Sequence, residues 1–81
     1  MRVSPACEIR VALRAPDGVV CGRSRLCWAR WPAASEVVCV LAGRARDARL
    51  RGLRLEVESA PDELYVLLAL AGLGRILRPH D

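Results

Sequence analysis

Residues 53–58, Leu-Arg-Leu-Glu-Val-Glu, alternate strictly between apolar and charged side chains. A strand has a side-chain period of two, so Leu53, Leu55 and Val57 fall on one face and Arg54, Glu56 and Glu58 on the other. Such a segment demands one buried face and one wet face. Both flanks carry a helical period instead. Upstream, Val37, Val38, Leu41, Ala45 and Ala48 recur over residues 36–51, with Arg44, Asp47 and Arg51 on the opposite side. Arg49 and Arg51 suit the negative end of that helix's dipole, and Gly52 can take the left-handed conformation that closes it. Downstream, Ser59-Ala60-Pro61-Asp62-Glu63 has the chemistry of a helix start: proline suits the first turn, and two carboxylates favour the positive dipole end. The pattern predicts a second helix over 61–71, ended by Gly72 and Gly74, with Arg75-Ile76-Leu77 as a last short turn before Pro79.

The second helix is apolar on all sides from Leu64 to Ala71, whereas a helix covering one face of a small domain needs only one apolar stripe. A chain of 81 residues buries roughly 60–65% of the surface its unfolded form exposes. One side of this helix is therefore expected to stay uncovered, unless the N-terminal segment and the turn at 75–77 fold back over it. Uncovered apolar faces mark association sites. The expected outcome is a homodimer, a complex with a larger regulatory protein, or poor solubility alone. Leu67→Glu and Leu68→Glu are the substitutions expected to separate partner surface from core.

Two readings stay open for the front of the chain. Cys7, Ile9, Val11 and Leu13 alternate like a strand, while Ser4-Pro5 followed by Glu8 has the chemistry of a helix start. Pro16-Asp17-Gly18 is a turn, and Val19-Val20-Cys21 opens a strand reaching about Arg25. Residues 28–34, with Pro32, form a loop into a helix beginning near Ser35. Strand 19–25, helix 36–51, strand 53–58 and helix 61–71 make an α/β alternation, which implies a parallel strand pair joined by a crossover helix.

Composition narrows the function classes. The length allows one domain, and 53% apolar residues exclude intrinsic disorder. The longest apolar or glycine run, which opens at Leu64, is about half of a bilayer crossing, and residues 1–10 hold no stretch fit to be a signal peptide. The expected compartment is the cytoplasm. All 13 cations are Arg, Ala and Leu occur 12 times each, and Lys, Asn, Gln, Thr and Phe are absent, which is the mark of GC-rich codon usage. The net charge of +4 therefore says less about nucleic acid than it otherwise would. The charge is uneven: residues 1–54 carry 11 Arg against four acids, and residues 55–81 carry two Arg against five. Cys7, Cys21, Cys27 and Cys39 lack the spacing of a zinc site and, lying among apolar neighbours, are expected to be free, buried and small. No metal or cofactor is expected. Neither is catalysis: His80 is the sole imidazole, no nucleophile has a base nearby in sequence, and no glycine-rich phosphate loop is present.

Three stretches carry a family resemblance. Ala45-Arg46-Asp47-Ala48-Arg49-Leu50-Arg51-Gly52 followed by Leu53 to Val57, then Ser59-Ala60-Pro61-Asp62-Glu63-Leu64, then Leu67 to Leu77 with its Leu-Leu-x-x-x-Gly-Leu close, are similar to the C-terminal half of STAS domains, the anti-sigma factor antagonists. The likeness covers 45–77 well and 19–77 loosely. It implies a small STAS-like α/β domain with a short, mostly parallel sheet covered by helices. On that register residues 4–14 fall on a helix, and the family's N-terminal strand pair has no counterpart. The chain is then a shortened relative, or a strand at 7–14 replaces part of the pair. Family members that act as switches carry a serine phosphorylated by a partner kinase at the start of the helix after the central strand. Ser35 is the matching position, with Ala34 where an Asp is usual and Glu36 placed to repel a phosphate. The alternative role for Ser35 is to cap the helix.

The resemblance implies a non-enzymatic interaction module for an anti-sigma factor or kinase-like regulator, with Trp31, Ser35, Glu36, Val40, Arg44 and Arg51 as partner-binding residues. The competing reading is nucleic-acid binding through Arg23, Arg25, Arg30, Arg44, Arg46, Arg49 and Arg51, with Trp28 and Trp31 stacking on unpaired bases.

Overall fold

The structure, a computed structural model, describes residues 4–77. The alternation at the front of the chain prevails over the Ser4-Pro5 helix signal: β1 (Cys7–Arg14) is a strand. It forms a hairpin with β2 (Val20–Trp28). In the turn Gly18 has φ +90°, Ala15 N–H donates to the Val19 carbonyl at 2.9 Å, and the Asp17 carboxylate accepts the Val19 N–H at 3.0 Å. An aspartate reaching two residues on and a glycine at positive φ are the chemistry of a tight reversal. The chain continues through α1 (Ala34–Leu50), β3 (Arg54–Ser59), α2 (Asp62–Leu70) and a 3₁₀ turn, Gly74–Ile76.

The sheet order is β2-β1-β3, with β1 antiparallel to both neighbours. The expected mostly parallel sheet is thus overturned. β2 and β3 do run the same way, but β1 lies between them, and the two never pair. The inner faces explain the order. Val11 stands opposite Val57, and Leu13 opposite Leu55. At the same levels β2 offers only Ser24 and Gly22. The strand richest in inward apolar side chains takes the centre, because cross-strand apolar pairs stabilise a sheet.

One cluster of buried residues, including Ile9, Val11, Val57, Val37, Leu41, Leu64, Leu68 and Ile76, joins the inner sheet face to both helices and the 3₁₀ turn. The molecule is therefore two-layered, with both helices on one side. The outer sheet face carries Arg14–Glu56 at 2.9 Å, Arg23–Glu58 at 3.1 Å, and Glu8 with Arg10 and Arg25 at 3.4 and 3.5 Å. Ala12, opposite Arg23 and Glu56, is fully buried beneath these long side chains. The three exposed pairs contribute about 0–1 kcal/mol each, so they keep the outer face wet more than they hold the fold, whereas Arg14–Glu56 is part-buried.

Both helices end as their glycines predict. Gly52 and Gly72 have φ +73° and +83°, and the residue after each closes back on the helix: Leu53 N–H to Ala48 O at 2.8 Å, Leu73 N–H to Leu68 O at 2.9 Å. The starts differ from expectation. Ala33 occupies the N-cap of α1 with no side-chain cap bond, so Ser35 lies inside the first turn and caps nothing. Pro61 is the N-cap of α2 rather than its first residue. The four cysteines are free, but only Cys7 is buried. Cys21 sits where the β1–β2 register shifts, Cys27 faces outward opposite Glu8, and Cys39 stands two residues from each of the buried Val37 and Leu41. No helix among the described residues is long and apolar enough to cross a membrane.

Candidate partner-binding face of the helical layer

The six expected partner residues do not converge. Trp31 is exposed in the 29–33 loop, Ser35 is exposed in the first turn of α1, and exposed Glu36 accepts the Trp28 indole N–H at 3.3 Å. Val40 is half-buried against the core. Arg44 and Arg51 border a groove of about 480 Å³ between α1 and the sheet, opened where Gly22 and Ser24 leave little side chain. Ser35 and Arg51 lie some 24 Å apart along the helix at 1.5 Å per residue. The structure therefore brings Arg44 and Arg51 together and separates them from Ser35.

The arginines proposed for nucleic acid are dispersed as well. Arg23 and Arg25 lie on the outer sheet face, paired with Glu58 and Glu8. Arg30 is in the 29–33 loop, Arg44 and Arg51 border the first groove, and Arg46 and Arg49 border a second. Half-buried Trp28 is engaged with Glu36.

The second groove, about 610 Å³, runs between α1 and the segment following α2. Arg46, Arg49, Arg54 and Arg75 border it, its floor includes Ala45, Leu53, Leu73 and Ile76, and no carboxylate lines it. Arg54 Nη2 donates to the Arg75 carbonyl at 3.3 Å. Nothing local in the sequence marks this site, because residues 46–54 and 72–76 meet only in the folded chain.

The clearest surface feature is α2. Leu64 and Leu68 are buried and Tyr65 and Leu67 half-buried, while Val66 is 63% and Leu70 83% exposed. One side is therefore uncovered, but Leu67 and Leu68 belong to its covered side. Asp62, Val66 and Leu70 recur every fourth residue, which lines them up on the exposed side with Asp62 and Glu63 at its head.

Asp47 is the one carboxylate bordering the first groove. Burial, with Cys27 nearby as the lesser cause, pushes the Cys7 thiol above its ordinary value of 9.0, so it stays protonated. Among the described residues no group of three or more His, Cys, Asp or Glu is placed to hold a metal ion, and His80 lies outside those residues. Comparison with protein-family models, with curated proteins and with solved structures finds no match.

Proposed function

We propose that the chain is a non-enzymatic protein-interaction module whose binding face is the exposed side of α2. The observation that carries this reading is the exposure of Val66 and Leu70 on a helix whose opposite side is core. Contiguous exposed apolar side chains beside charged ones are a common mark of interaction sites. Two further features favour a protein over nucleic acid: the arginines are spread over several faces, and Arg10, Arg14, Arg23 and Arg25 already have carboxylate partners. Grooves bordered by guanidiniums support a binding role rather than a catalytic one. The cytoplasm is the compartment in which four free thiols are the ordinary state.

The test replaces Leu70 by a photoreactive phenylalanine analogue and irradiates the producing cells. A covalent adduct with a protein is expected from position 70 and not from Asp17, in the turn between β1 and β2. Absence of an adduct at position 70 would refute the reading.

A further inference from the structure

Resting on that reading, we infer that the exposed side of α2 is occupied by the same side of a second copy. The two helices run antiparallel, and Asp62 and Glu63 of each copy sit against Arg46, Arg49 and Arg75 of the other. The argument starts from charges without partners. Among the described residues Asp62 and Glu63 enter no ion pair, and neither do Arg46, Arg49 and Arg75. These two sets cannot meet within one chain. The acids open α2, and the second groove lies at its other end, beside Gly72, Leu73 and Arg75. Nine helical residues separate them by about 13 Å.

An antiparallel second copy removes that separation. With Val66 of one helix opposite Leu70 of the other, the twofold places Leu70 opposite Val66 in return, so the apolar pair is satisfied twice. In the same register Asp62 lies about 6 Å beyond Leu70, the last residue of the other helix, at the end where Gly72, Leu73 and Arg75 follow. The acidic head of each α2 is thereby delivered to the carboxylate-free groove of the other copy, where an Arg fork can take a carboxylate in two parallel hydrogen bonds. The alternative association, through the unpaired edge of β2, is disfavoured. Antiparallel pairing about its central Ser24 would set Arg23 against Arg25 on both sides of the axis.

The contact is small, so the association belongs to the weak class, with dissociation in the micromolar range. The experiment is sedimentation of the full chain from about 5 to 500 µM, a range that brackets such affinities, for three proteins. These are the wild type, the acid-to-base variant Asp62→Arg with Glu63→Arg, and the base-to-acid variant Arg46→Glu with Arg49→Glu and Arg75→Glu. Far-UV circular dichroism verifies that each is folded, since every substituted side chain is exposed. The wild type should form a dimer that weakens with salt, and each variant alone should dissociate at least tenfold more readily. Their equimolar mixture should associate as the wild type does, because the mixed dimer restores opposite charges at both contacts. A mixture no tighter than either variant, a variant that dimerises as the wild type does, or a monomeric wild type at all concentrations would overturn the inference. A position-70 photo-adduct with a different protein would also overturn it while leaving the interaction reading intact. Absence of any adduct would remove both.

Discussion

Truncating Leu68 and Leu70 to Ala separates the two sides of α2 by stability alone. Leu68 is fully buried, within the cluster that also holds Ile9, Val37 and Leu64. Removing its isobutyl end forfeits the burial and leaves a cavity, a loss of about 3 kcal/mol within the usual 2–5 range. Leu70, 83% exposed at the last position of α2, has little burial to lose. Its replacement should change stability by no more than about 0.5 kcal/mol, and Ala is at least as good a helix former. For 81 residues the total stability is on the order of 4–12 kcal/mol, so the first change removes a large share and the second almost none. In urea, with a slope of about 1 kcal/mol per molar for a small domain, the Leu68→Ala midpoint should fall by about 3 M and the Leu70→Ala midpoint by under about 0.5 M. The titrations belong at low protein concentration, where self-association adds nothing by mass action. Equal midpoint losses, or a larger loss for Leu70→Ala, would refute the assignment of the two faces.

Because Ala33 and not Ser35 holds the N-cap of α1 with extended backbone (φ −66°, ψ 149°), Ala33→Asp should stabilise the fold by about 1 kcal/mol and Ser35→Ala should be nearly neutral in thermal unfolding. A Ser35→Ala loss of about 1 kcal/mol would restore the cap role. Two glycines should respond with opposite sign. Gly43→Ala, inside α1 with open space around it, should stabilise by about 0.5–1 kcal/mol, and Gly52→Ala, at φ +73°, should cost about 1 kcal/mol. Denaturant midpoints of the pair check this. The raised Cys7 thiol links stability to alkaline pH: a group that ionises more readily unfolded than folded contributes fully below the unfolded value. Unfolding free energy should therefore fall as pH climbs past about 9, and Cys7→Ala should flatten that slope. Cys21, Cys27 and Cys39 should react with a thiol reagent well before Cys7 does.

What is legible in this sequence is what near neighbours decide. The alternation at 53–58, the helical spacing that starts at Val37, the Pro16-Asp17-Gly18 turn and the glycines at 52 and 72 each act within a few residues, and each produces the local structure that its chemistry predicts. Strand order is different, since it depends on which inner faces match across the chain. The match of Val11 with Val57 and of Leu13 with Leu55 places β1 at the centre. The signal for it was present: an alternating segment followed by a tight turn and a second strand is the pattern of an antiparallel hairpin. The crossover reading of β2-α1-β3 gave the right directions for both strands and left no room for a third between them. Ser35 fails as a cap because α1 begins two residues earlier than its hydroxyl requires, at Ala34 rather than Glu36. The uncovered side of α2 is implied by its all-round apolarity, but which residues form it depends on the helix's rotation against the sheet, a property of packing. The two arginine grooves arise only from tertiary contact.

A dilution series of amide ¹H–¹⁵N spectra tests the central claim most directly, because it reports at each residue where a second copy touches. Between high and low concentration, shifts should concentrate at Asp62, Glu63, Val66, Leu70, Arg46, Arg49 and Arg75, while Glu8, Arg10 and Arg25 on the outer sheet face stay fixed. Shifts centred on the β2 edge from Gly22 to Leu26, or concentration-independent spectra throughout, would contradict it.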